Sequence, residues 1–118
     1  MSLIRSKNTG PERRMATILR KAGVRFRRHQ KLPGTPDFVV AGRKVAVFVD
    51  GNFFHGRNFH ELKPRLSTFW ADKIRNNIRR DRRVCRILRN KGWSVVRVWE
   101  DKLDGAIPRI KRAIGEKT

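Results

Sequence analysis

Two short apolar runs around a glycine turn constrain this chain more than anything else in it. Asp37-Phe38-Val39-Val40 and Lys44-Val45-Ala46-Val47-Phe48-Val49 flank the tight connection Ala41-Gly42-Arg43. Each run is rich in β-branched and aromatic residues and too short for a helix, so each reads as a strand. Joined so closely, they form a hairpin at the core of a sheet.

The rest of the chain supplies what covers such a sheet. Thr9-Gly10-Pro11-Glu12 starts a helix, Met15, Ile18, Leu19 and Ala22 recur at helical spacing, and Gly23 ends the run. Val24-Arg25-Phe26-Arg27 alternates like a short strand, and Leu32-Pro33-Gly34-Thr35-Pro36 is a turn-rich loop. A polar and aromatic loop is expected from Asp50 to Pro64. A long helix should run from about Phe69 to Lys91, with Ile74, Ile78, Val84, Ile87 and Leu88 on its apolar positions and Gly92 as its stop. Ser94–Trp99 is another strand, and residues 105–115 form a short basic helix. The order α-β-β-β-α-β-α predicts an α/β sandwich rather than a bundle. Residues 1–10 read as a basic arm and 11–118 as a single domain, since 118 residues suit one core.

Charge narrows the partner. Thirty Lys and Arg against ten Asp and Glu leave a net charge of +20, which attracts polyanions. Nucleic acid leads, ahead of a ribosomal-type role or a membrane surface. The cations are interleaved with apolar periodicity, which fits a folded basic domain better than a basic tail. No run approaches the roughly 20 apolar residues of a membrane span, and no apolar stretch of a secretory signal follows the first charges. Cys85 is the single cysteine, so neither an internal disulfide nor a multi-cysteine zinc site can form. A reducing, cytoplasmic setting is expected, with association to the nucleoid through DNA.

In so basic a chain each acid invites a question. Taken singly, Glu12 suits the dipole of the first helix, and Asp37 and Asp50 suit turns or strand caps. Taken together they suggest more. A hairpin of the two core strands places Asp37 and Asp50 at one open end, where paired carboxylates suit Mg²⁺. The basic surface would deliver a phosphodiester there, and the ion would stabilise its transition state. His55, five residues past Asp50, reads equally as a general base or as a surface histidine on phosphate. Phe53 and Phe54 are adjacent in a polar loop and cannot both follow one period into a core. One role for them is a wedge into a base step; the other is loop packing.

Longer blocks carry a resemblance. Leu32–Val40, Val47-Phe48-Val49-Asp50-Gly51-Asn52-Phe53-Phe54-His55-Gly56, Phe69-Trp70-Ala71-Asp72-Lys73-Ile74 with Asn76-Asn77 and Arg80-Asp81, and Gly92-Trp93-Ser94-Val95 occur in order. With Ile4–Thr9 and Pro11-Glu12, they resemble the very-short-patch repair (Vsr) DNA mismatch endonucleases over residues 4–102. The resemblance implies an α/β restriction-endonuclease-like (PD-(D/E)XK) sandwich with a central mixed β-sheet flanked by helices. It implies Mg²⁺-dependent nicking of double-stranded DNA beside a T·G mismatch, with mismatch-repair proteins as partners. It implies Asp37 as the metal-binding carboxylate, the Val49 carbonyl as a second ligand, His55 as the catalytic histidine and Glu12 as the helix-borne acid. Phe53, Phe54 and Trp70 match aromatics pushed into the DNA, and Lys73 and Arg57 are expected to contact it.

The chain departs from the family where members hold a structural zinc. It has Asn52 for a cysteine, Arg57 where a ligand histidine is common, and Asp101 after Trp99-Glu100. A structural zinc is therefore not expected. Asp50 is then open to two roles, a second active-site acid and metal ligand or part of a salt-bridge network in place of zinc. No PD-(D/E)XK lysine stands at Asn52, which favours histidine-assisted hydrolysis. The rival functions are a homing or mobile-element nicking enzyme of the same fold and a non-catalytic basic DNA-binding module. DNA affinity is expected to fall by orders of magnitude between about 50 and 200 mM salt and to ignore zinc chelators. Filter binding across a salt series checks the first part; stoichiometric zinc in purified protein would contradict the second.

Overall fold

The computed structural model describes residues 10–51 and 59–115. Four strands form one sheet in the order β1-β2-β3-β4: β1 Phe26–Arg28, β2 Phe38–Val40, β3 Val45–Asp50 and β4 Ser94–Trp99. β2 and β3 are the expected hairpin, antiparallel with Phe38 opposite Val47. β1 adds antiparallel to β2, with Arg28 opposite Phe38. It starts later than its alternation suggests, because Val24 instead packs into the core beneath α1. β4 pairs parallel with β3, Val45 opposite Ser94 and Asp50 opposite Trp99. A parallel pair needs a long crossover, and α3, Thr68–Asn90, supplies it.

Helices cover both faces of the sheet. α1, Gly10–Lys21, and α4, Ala106–Ala113, lie on one side. There Met15, Leu19 and Ile110 meet Phe38, Val45, Val47, Val49, Val96 and Val98. On the other side Val84 and Leu88 of α3 close over Ala46 and Phe48. The alternation along β3 is the strand period of two, and all of its residues are buried because both faces are covered. The region expected to be loop contains a short helix, α2 Phe59–Leu62, and a 3₁₀ turn, Lys63–Arg65. A second 3₁₀ turn, Leu103–Gly105, precedes α4. The arm residues 1–9 lie outside the described part.

The loop before β2 is pinned from both sides. The Thr35 amide donates to the Leu32 carbonyl at 2.8 Å. Gly34 has φ +78°, and a Cβ there would stand 2.5 Å from Val84 Cγ1 and 3.3 Å from Phe48 Cε1. The loop therefore lies directly on α3 and β3, and it ends at the buried residues Pro36 and Asp37. Gly34→Ala combines a left-handed backbone with an overpacked contact. It is expected to cost about 2 kcal/mol or more, read as a lowered midpoint in denaturant unfolding.

Candidate active site

Asp37 marks the point where the β2–β3 ladder gives way to a side chain. Its Oδ2 accepts the Val49 amide at 2.7 Å, two residues past Val47, where the β2–β3 pairs end. In an antiparallel pair, the N–H and C=O of a bonded residue point to the same edge. The Val49 carbonyl thus faces the Asp37 side of β3. The next carbonyl, that of Asp50, faces β4 and accepts the Glu100 amide at 3.0 Å.

α1 and β1 bring further groups to Asp37. Glu12 stands in the first turn of α1 yet is only 2% exposed, and Asp37 is 1% exposed. The Glu12 carboxylate receives Arg28 Nη2 at 3.1 Å and His29 Nε2 at 3.3 Å, both on Oε2. Arg28 also stacks 5.2 Å from the Phe38 ring centroid. His29 follows the last residue of β1 with φ 51°, and its amide donates to the Asp37 carbonyl at 3.4 Å. One ligand atom from each of Glu12, His29 and Asp37 lies within 4.8 Å of the others. Two buried carboxylates this close repel each other, and a divalent cation between them removes that cost. Oxygen, oxygen and imidazole nitrogen are an ordinary donor set for such an ion.

Asp50 is not part of this group, which corrects the expectation of an ion shared by Asp37 and Asp50. The strand period turns its side chain toward α3, where Arg97 takes both oxygens: Nε to Oδ2 and Nη2 to Oδ1, each at 2.9 Å. Arg97 Nη2 also lies 3.2 Å from Asp81 of α3, its Nη1 approaches Cys85 Sγ at 3.7 Å, and its guanidinium covers the Phe48 ring at 4.3 Å. Burial works against the Arg97 charge. The Asp50 hydrogen bonds and the charges of Asp50 and Asp81 outweigh it, so the group is held above its ordinary pKa. Of the two roles open for Asp50, the geometry favours the salt-bridge network.

α3 runs antiparallel to β3, with Leu88 near Ala46 and Asp81 level with Asp50. Its first turn therefore projects past the end of β3, on the side of Asp37. Ser67 caps it, the hydroxyl accepting the Trp70 amide at 3.4 Å. Trp70 is half-buried and meets Phe69 edge-on at 5.4 Å, while Phe69 is 63% exposed. Lys73 Nζ sits 5.6 Å from the Phe69 ring centroid.

The sequence profile of the DNA mismatch endonuclease Vsr family matches residues 1–61. The type II nicking enzyme V.XorIIP of Xanthomonas oryzae pv. oryzae is 42% identical over 106 residues, covering 87% of this chain and 78% of that protein. The DNA mismatch endonuclease Vsr of Escherichia coli (strain K12) is 38% identical over 120 residues, covering 99% of this chain and 77% of that protein. The type II nicking enzyme V.NmeDIP of Neisseria meningitidis serogroup C is 41% identical over 101 residues, covering 82% of this chain and 68% of that protein. The chain belongs to the Vsr DNA mismatch endonuclease family. Its four-stranded mixed sheet between helices is the restriction-endonuclease-like sandwich expected for a Vsr fold.

In this Vsr chain four expected site residues, Phe53, Phe54, His55 and Arg57, lie outside the described residues. Among those described, Glu12 and Asp37, both named through the resemblance, lie together. His29 joins them without having been singled out from sequence; its only signal was a histidine closing a short basic strand. Arg97 and Phe69 were also missed. Arg97→Met is expected to destabilise the fold by about 3 kcal/mol, because it strands the buried Asp50 charge. Pairing it with Asp50→Leu should recover most of that loss in thermal melts.

Proposed function

We propose that this chain nicks one strand of duplex DNA at T·G mismatches by Mg²⁺-assisted phosphodiester hydrolysis at the Glu12–Asp37 cluster. It is a DNA endonuclease of the Vsr family, and nucleases of this kind are generally metal-dependent. No helix among the described residues is long and apolar enough to cross a membrane. The observation that carries the reading is the convergence of Glu12 and Asp37, both buried, at the mouth of the β2–β3 hairpin within 4.8 Å. A basic module that had lost catalysis would gain nothing from holding two carboxylates so close.

Asp37 and the Val49 carbonyl would hold the ion, with Glu12 beside them. The hydrogen bond from the Val49 amide fixes which way the Asp37 carboxylate turns. The bound ion would supply Lewis-acid stabilisation of the charge developing on the phosphate. His55 is the proposed general base, taking the proton of the attacking water. The net charge of +20 draws in the duplex. Phe69 and Trp70 at the tip of α3, with Phe53, Phe54, Arg57 and Lys73, are proposed to meet bases and phosphates beside the nick.

Asp37→Asn is expected to abolish nicking while DNA affinity stays equal or rises, since it removes a negative charge facing the DNA. His55→Ala should slow cleavage by roughly 10²–10⁴-fold. Gel-based nicking of a labelled mismatched duplex, with binding measured on the same substrate, checks both. Wild-type rates in folded Asp37→Asn protein would remove this site.

A further inference from the structure

His29 has no role in the nuclease reading above, yet the fold spends an uncommon conformation on placing it. Its φ of 51° lies in the left-handed region that few non-glycine residues adopt. That turn comes directly after β1, and it brings Nε2 to 3.3 Å from Glu12 Oε2 with the side chain 20% exposed. Such backbone strain gathers at ligand and active sites.

The spacing is that of an ion pair as it stands, and it also suits a coordination shell once an ion takes the place of the proton on Nε2. Bonds of about 2.1 Å put neighbouring ligands roughly 3.0 Å apart in an octahedron and roughly 3.4 Å apart in a tetrahedron. The 3.3 Å separation of His29 from Glu12 and the 4.8 Å limit on the whole group both fit one ion. Mg²⁺ favours an all-oxygen shell, whereas an imidazole nitrogen suits transition ions. Resting on the reading that an ion sits at Glu12 and Asp37, we infer that His29 Nε2 is a further ligand. With that nitrogen the site binds a transition ion such as Co²⁺ or Mn²⁺ more tightly than Mg²⁺, while its carboxylate oxygens still admit the Mg²⁺ of the reading above.

The test uses the full chain loaded with Mn²⁺. Pulsed electron paramagnetic resonance is expected to show ¹⁴N coupling from a directly bound imidazole in wild type. His29→Asn, which tolerates the left-handed backbone but is too short to reach the ion, is expected to lose it. Calorimetry should show Mn²⁺ bound more tightly than Mg²⁺. The same substitution should weaken Mn²⁺ by at least about tenfold, the low end of what even an outer-shell partner is worth to a metal site, and leave Mg²⁺ nearly unchanged. His29→Gly, whose backbone takes the same φ without strain, should regain the ¹⁴N signal with free imidazole. Coupling and affinity that persist in folded His29→Asn would overturn the ligand role of His29 while leaving the ion site standing. Mn²⁺ binding that survives Asp37→Asn would overturn the ion site itself.

Discussion

The hydrogen bond from the Val49 amide to the Asp37 carboxylate, 2.7 Å long and buried, is the join on which the site depends. The β2–β3 pairs end at Phe38 and Val47, and the Asp37 side chain makes the next bond to β3. The bond holds Asp37 at the end of the central β2–β3 pair, on the side of β3 toward which the Val49 carbonyl also faces. Glu12 from α1 and His29 from the end of β1 then arrive beside it. None of these groups would meet if the Pro36–Asp37 segment were free, and the contact of Gly34 with Val84 and Phe48 keeps it in place.

The end of β3 serves two purposes because alternate residues face opposite ways. Val49 turns its side chain to the α1 and α4 layer and offers its polar backbone to the site. Asp50 turns toward α3 and is taken up by Arg97, which also reaches Asp81. That clasp ties β3, β4 and α3 together just beneath the point where the chain leaves for residues 52–58. A buried ion pair of this kind is weak evidence for added stability. What it does here is link three elements beside the site.

Much of this was legible in the sequence. The hairpin and the long helix follow from strand length, helical spacing and the turn residues between them, whereas Glu12 was joined to Asp37 as a site acid only through the family resemblance. The partner of Asp50 was not legible, because Arg97 lies 47 residues away and meets it only through the parallel register of β3 with β4. His29 was hidden for a different reason. Its place depends on a single left-handed backbone angle, which no periodicity announces. Phe69 was read only as the start of the long helix, and the first turn of α3, overhanging the sheet, leaves it exposed. His55, Phe53, Phe54 and Arg57 rest on the family resemblance.

The central claim is that the buried Glu12–Asp37 edge makes this Vsr chain a metal-dependent enzyme that cuts one strand of mismatched DNA. The most direct measurement is conversion of a supercoiled plasmid carrying one T·G mismatch, followed with and without added divalent ion. The account predicts open-circular product without linear product, formed only with the ion and faster than on the fully matched plasmid. Equal cleavage in the presence of chelator, or no cleavage under any ion while the DNA is bound, would contradict it.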